Sequence, residues 1–135
     1  MAIESGLGWT TFSVDNAAGA LKALKDDTFA LNFATPRGVW DITTLGMSAY
    51  AREYLLSDFT CEPTGGFNDA ADRSFAVLSS ISSSNTHRTC TIVVSGQTLN
   101  NEVLVTDFQQ QRPQSGEFTW TAPMVLADGT VPTWA

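Results

Sequence analysis

Thr28-Phe29-Ala30-Leu31-Asn32-Phe33-Ala34 runs directly into Thr35-Pro36. In an extended chain Phe29, Leu31 and Phe33 fall on one side and Ala30 and Asn32 on the other, and the proline closes the run. This is the alternation of a half-buried β-strand. The same period of two covers Asp58 to Glu62, Arg88 to Ser95, Glu102 to Phe108 and Glu117 to Ala122. In the last of these Phe118, Trp120 and Ala122 oppose Glu117, Thr119 and Thr121.

Ser95 to Asn101 and Arg112 to Gly116 have the composition of hairpin connections, so the strands they join form an antiparallel sheet. One segment leaves the strand rhythm. After Asn68, a suitable N-cap, Asp69 and Asp72 put acid into a first turn, and Ala71, Phe75 and Leu78 recur at helical spacing. The spacing predicts one main helix over about 68–80, flanking the sheet. Ala49 to Leu56 consists of good helix formers without Gly or Pro, which makes about 48–56 a candidate short second helix.

At 135 residues, 43% hydrophobic and 16% charged, the chain makes a single domain, 1–135. Seven Lys and Arg against fourteen Asp and Glu leave a formal charge of −7, which excludes a grip on nucleic acid that works by neutralising phosphates. No charge-free stretch approaches the roughly 20 apolar residues of a bilayer span. Met1-Ala2-Ile3-Glu4 lacks the basic start and apolar core of a secretory signal, so cytoplasmic synthesis is expected.

Groups that carry chemistry are sparse. His87, the single histidine, is three residues from Cys90, a spacing that sends the two to opposite faces of a strand. Asp26-Asp27 precedes a strand, and Asp69 with Asp72 suits a helix start. Gly65-Gly66 stands between a strand and a helix, but no phosphate-loop pattern accompanies it and no lysine follows Lys25. Cys61 and Cys90 are too few for a four-ligand zinc site or a disulfide framework. They are small buried residues or, alternatively, one bridge, which a reducing cytosol disfavours. No catalytic, cofactor-binding or metal-binding residue is therefore assigned. Trp120 alternates into a core face, whereas Trp9, Trp40 and Trp134 lie outside the predicted strands, where an indole is either tucked over its own core or covered by a partner chain.

Thr35-Pro36-Arg37-Gly38-Val39-Trp40-Asp41-Ile42-Thr43, Ala49-Tyr50 through Phe59, Gly66 to Ala71, His87 to Ile92, Asn101 to Asp107, Gly116 to Trp120 and, most distinctively, Val125 to Trp134 resemble, in wording and in order, the major tail proteins of long-tailed bacteriophages, particularly those of actinobacterial hosts. The similarity runs from about Ser13 to Trp134, with departures over Glu4 to Phe12 and Asn16 to Lys25.

The resemblance implies a non-enzymatic virion tail protein built as an antiparallel β-sandwich with a flanking helix. Copies would form hexameric rings whose inner sheets join into a barrel. The rings would stack into a tube that passes the genome during ejection, alongside tape-measure and tail-end proteins. Six copies sum to about −42 per ring, a wall charge along which DNA slides without binding. Expected inter-subunit residues are Trp9 and Phe12 in an N-terminal arm (about 1–12), Pro36, Arg37 and Trp40 in the following loop, and Trp134 in a C-terminal tail (about 128–135). Each of these could instead fold back on its own core. Glu102 with Thr106, and Glu117 with Thr119, form polar faces that line either the channel or ordinary solvent. The alternative class is a capsid or tail decoration protein of sandwich type.

Overall fold

The computed structural model describes residues 3–135; Met1 and Ala2, the start of the expected N-terminal arm, lie outside the described residues. The central unit is a hairpin of β7 (Arg88–Val94) and β8 (Gln97–Val105), in register from Arg88↔Val103 to Val94↔Gln97. The connection is two residues, shorter than expected. Ser95 (φ 49°) and Gly96 (φ 79°) both adopt the left-handed conformation that matches the twist of adjoining strands, so residues 97–101 belong to β8.

Around that hairpin β1 (Trp9–Asp15) pairs with β7, and β2 (Leu21–Ala23) with β1. On the other side β11 (Met124–Leu126) pairs with β8 and joins β6 (Thr60–Gly66). β6 also pairs with β10 (Thr119–Thr121), which carries β9 (Gln109–Gln111), and with β3 (Thr28–Ala34) along its far edge. All these pairings are antiparallel, giving one nine-stranded sheet.

The sheet curls into the two layers of the expected sandwich. β6 and β7 are separated in it by β11 and β8, so their backbones would lie about 14 Å apart if it were flat. Yet the thiols of Cys61 on β6 and Cys90 on β7 meet in the core. Phe12, Val14, Ile92, Leu99, Val103, Phe59, Trp120 and Met124 fill the same interior with almost no exposed surface. Each such side chain contributes about 1.5–3 kcal/mol through the area it removes from water.

The sequence expectations of a mainly antiparallel β fold with minor helix hold, and several boundaries change. The main helix shrinks from 68–80 to α1 (Ser74–Leu78). Asn68 Oδ1 accepts a hydrogen bond from Ala70 N (3.0 Å) in a local turn, and Asp72 has φ 64°, so Asp69 and Asp72 lie upstream of the helix. The first turn is capped from afar: Asp27 Oδ2 accepts Ser74 N (3.1 Å) while its Oδ1 accepts Asn68 Nδ2 (2.9 Å). At the other end the buried Arg88 donates from Nη1 to Val77 O (2.8 Å) and Asp15 O (3.0 Å), and from Nη2 to Ser80 Oγ (3.1 Å). A carboxylate at the N-terminus and a guanidinium at the C-terminus match the helix dipole. They hold a helix too short to persist alone.

The helix expected at 48–56 is a correction of type. Arg52–Ser57 is β5, paired with β4 (Arg37–Asp41) in a separate hairpin, so strand pairing overrides the helical preference of Ala49 to Leu56. Within β3, Leu31 and Phe33 pack on the core as the alternation requires, but Phe29 occupies a register shift and is 72% exposed. Gly65-Gly66 is strand rather than loop. A Cβ on Gly65 would lie 2.1 Å from Asp27 O and 2.7 Å from the Trp120 ring, and Trp120 Nε1 donates to Gly66 O (2.8 Å). No helix among the described residues is long and apolar enough to cross a membrane.

Replacing Arg88 with Ala strips the buried carbonyls of Val77 and Asp15 of their donor and leaves a void. Chemical denaturation should show a loss of about 3 kcal/mol, with the m-value unchanged.

Candidate assembly surfaces

Register fixes which side chains leave the sheet. Thr11, Ser13 and Asp15 on β1, Thr89 and Thr91 on β7, and Asn100 and Glu102 on β8 share the outer face with Glu62 and Thr64 on β6 and Thr119 and Thr121 on β10. Hydroxyl and amide side chains tie neighbouring strands across it. Thr64 Oγ1 and Thr121 Oγ1 are 3.3 Å apart, Thr91 Oγ1 donates to Asn100 Oδ1 (3.2 Å), and the Thr89 hydroxyl donates to Glu102. Among the strand residues of the nine-stranded sheet, Asp15, Glu62 and Glu102 supply the outward charge, and no Lys or Arg points that way.

The expected polar wall residues divide accordingly. Glu102 and Thr119 lie on the outer face, on different halves of the curled sheet. Thr106 lies beyond the end of β8, where its N–H donates to Pro123 O (2.9 Å). Glu117 sits in the loop before β10 and accepts from Ser115 Oγ (2.9 Å); its own backbone N–H and that hydroxyl hold its carboxyl below the usual range. Glu62, at the end of a predicted strand, was not singled out, though the same alternation already put it opposite Cys61.

β4 and β5 form an arm apart from the main sheet, with no substantial packing against any other element. Nearly every residue of its two strands is exposed. Register puts Trp40 opposite Glu53, on the face that Leu55 shares, and Val39 opposite Tyr54 on the other. On the second face the Arg37 guanidinium lies 4.3 Å from the Tyr54 ring centre, and Arg52 lies 4.9 Å from that of Tyr50. Arg37 Nε also donates to Leu55 O (2.9 Å), and Pro36 O accepts Asp58 N (3.0 Å) at the root of the arm. At the tip Leu45 is fully exposed, with Met47 and Tyr50 beside it. The 37 to 44 run reaches roughly 23 Å at about 3.3 Å per residue.

The remaining inter-subunit expectations behave differently. Phe12 is fully buried in the core, so its role is packing within the chain, because its side chain alternates inward between Thr11 and Ser13. Trp9 is half-buried against the core, its Nε1 donating to Thr11 O (3.1 Å) and Lys25 Nζ standing 5.8 Å from its ring. Trp134 is 45% exposed and folded back: it bridges to Leu99, its ring centre lies 6.0 Å from that of Phe33, and Ala135 exchanges two backbone hydrogen bonds with Thr98.

Among the described residues, three strands of the main sheet carry an edge without a strand partner: β2, β9 and β3. β3 is the longest, seven residues, and contains neither Lys nor Pro to blunt it. β3 and β9 bound the same half of the sheet, β3-β6-β10-β9.

Of the chemical groups considered in the sequence, the Cys61 and Cys90 thiols meet in the core. His87 is exposed in the loop before β7. The Cys90 thiol is pushed well up by its contact with the Cys61 thiol and by burial, which keeps it protonated. Among the described residues no group of His, Cys, Asp and Glu is placed to hold a metal ion. A recess of about 380 Å³ is an open groove between the 79–82 loop and the end of β8, its walls mixing Phe75, Ile81, Val105 and Phe108 with the polar side chains of Ser79, Ser82, Thr106, Asp107 and Gln110.

No protein-family model matches the chain, and no curated protein sequence matches it. Among solved structures the chain is similar to one from the virion of a native gene transfer agent particle, with a TM-score of 0.77 and 15% identity over 97% of this chain and 99% of that one. It is similar also to a chain from the tail of an empty gene transfer agent particle, refined helically with C6 symmetry, with a TM-score of 0.72 and 16% identity over 98% of each. At these identities the likeness is one of fold, and it runs from end to end of both chains.

Proposed function

We propose that this chain is a structural protein of a phage-type tail, the major tube subunit, which forms hexameric rings stacked into a conduit for the genome. The observation that carries the proposal is the end-to-end fold likeness to a chain of a helical tail with C6 symmetry. The edges of β3 and β9 supply the physical complement. They bound one half of the sheet and differ from each other, so pairing β3 of one copy with β9 of the next is a head-to-tail contact that a ring can close.

That half of the sheet then faces the channel. Its outer surface offers Thr64, Thr119, Thr121, Asn32, Gln109 and Gln111, with Glu62 as its carboxylate and no cation. Such a wall hydrates well and repels phosphate, so DNA passes without a counterion-release gain. In this reading Thr119 and Glu62 line the lumen and Glu102 faces outside. The exposed arm with Trp40 makes the contacts between copies that its own body does not make. The protein belongs to the virion tail, with tape-measure and tail-end proteins as further partners, and has no catalytic step to perform.

Concentrated protein should form hollow filaments whose negative-stain end views show sixfold symmetry; compact monomers at every concentration and salt would contradict the assignment. Trp40→Ala removes an exposed ring from a hairpin with no substantial packing on other elements among the described residues. The isolated protein should keep its stability within about 0.5 kcal/mol, while filaments form only at concentrations raised tenfold or more, as for an interface anchor worth about 2 kcal/mol. Glu62→Lys should leave assembly intact and slow DNA ejection from reconstituted particles more strongly at low salt, whereas Glu102→Lys should leave ejection unchanged. The reverse order of effects would place the other half of the sheet inside, and equal effects would contradict the placement of Glu62.

A further inference from the structure

Arg88 is 2% exposed, and no other Lys or Arg among the described residues is buried. Its guanidinium is held by neutral acceptors alone, the carbonyls of Val77 and Asp15 and the hydroxyl of Ser80. The ion pairs among the described residues are Lys22 with Asp72 and Arg73 with Asp26, so no carboxylate is within ion-pair distance of Arg88. Asp15 acts on it only through the longer reach of its charge. A charge taken out of water ordinarily has an ionic partner, because its lost hydration must be offset.

The guanidinium also has donors to spare. Of its five N–H groups three are taken up by those acceptors, which leaves Nε–H and one proton of Nη2 without an acceptor among the described residues. Nε and Nη2 lie along one edge of the group, the edge that meets a carboxylate or phosphate with two parallel hydrogen bonds.

The recess beside it suits such a ligand. Arg88 shares its wall with Ser84, Asn85 and Thr86 and with the apolar Leu104 and Val105, and no Asp or Glu takes part. Its volume is about 200 Å³, several times the roughly 30 Å³ share of a water molecule. The Ser84 and Thr86 hydroxyls lie 2.8 Å apart, so one donates to the other and one proton stays free. The Asn85 amide adds two more donors. In a chain of net charge −7, a recess with a cation, neutral donors and no acid in its wall is selective for an anion.

We propose that this recess binds a small oxyanion, a phosphate or carboxylate group, on the free edge of the Arg88 guanidinium. The site goes beyond the tube-subunit reading and does not depend on it. An anion bound there supplies the counter-charge at the point where Arg88 ties α1 to β1 and β7, so it stabilises the fold by mass action.

The test titrates inorganic phosphate into dilute, isotope-labelled single chains at constant ionic strength, with chloride as the control anion and acetate in a parallel series. Phosphate should produce saturable NMR shifts at the Arg88 Nε–H and at the amides of 84–86, where chloride produces none. Saturation by phosphate alone identifies a phosphate group as the ligand, and saturation by acetate admits a carboxylate; either upholds the site. Asn85→Asp leaves Arg88 and its three hydrogen bonds in place but puts a carboxylate into the wall. The apparent Kd should then rise about tenfold or more, because that carboxylate repels the anion and competes for the guanidinium. Shifts that do not saturate, that chloride reproduces, or that Asn85→Asp leaves unchanged overturn the proposal.

Discussion

A strand edge is a row of backbone donors and acceptors that must be paired, covered or left to water, and this fold leaves its longest one open. β6 pairs with one side of β3, and no strand among the described residues pairs with the other. Natural sheets usually blunt such an edge with lysine, proline or a covering loop. Here the only irregularity is the shift at Phe29, which turns an aromatic ring outward. An edge of this kind templates the addition of another strand. The other border of the same half-sheet, β9, is also open, so the two edges are the members of the repeating contact proposed above.

The interior makes that exposure tolerable. The curled sheet closes over a dry core from Phe12 to Met124, and its ends are stapled by polar groups buried for the purpose. Asp27 and Arg88 grip a five-residue helix at its two ends, and Gly65 lets Trp120 and the Asp27 backbone approach β6 closely. A body fixed in this way can present an edge and a projecting hairpin without unfolding around them. An isolated two-stranded hairpin is marginal in water, yet this one displays Trp40, Leu45 and Tyr50. Assembly would remove those side chains from solvent.

Alternation alone made β3, β7 and the inward course of Trp120 legible in the sequence, because each strand buries one face. The turns and the arm were not legible in the same way. Ala49 to Leu56 favours a helix locally, and only the pairing with Arg37–Asp41, a long-range contact, makes it a strand. Asn68, Asp69 and Asp72 carry the marks of a helix start, but the cap comes from Asp27, distant in sequence and invisible to local spacing. Local pattern puts Phe12 in an N-terminal arm, because Trp9–Asp15 becomes a strand only by pairing with β7, and alternation within it takes Phe12 into the core. Trp40 is exposed on the arm, whereas Glu102 and Thr119 share an outer face but not the same half of the sheet. That separation depends on strand order, which no local pattern encodes.

The most direct measurement is backbone amide exchange across Thr28–Ala34, in dilute single chains and in assembled protein. Alternate amides of β3 bond to β6, and the others face the open edge. In the dilute chain the second set should exchange as fast as an exposed loop, and on assembly it should become as slow as the first. Slow exchange already present in the single chain, or unchanged fast exchange in the assembly, would contradict the claim that the neighbouring copy completes this sheet.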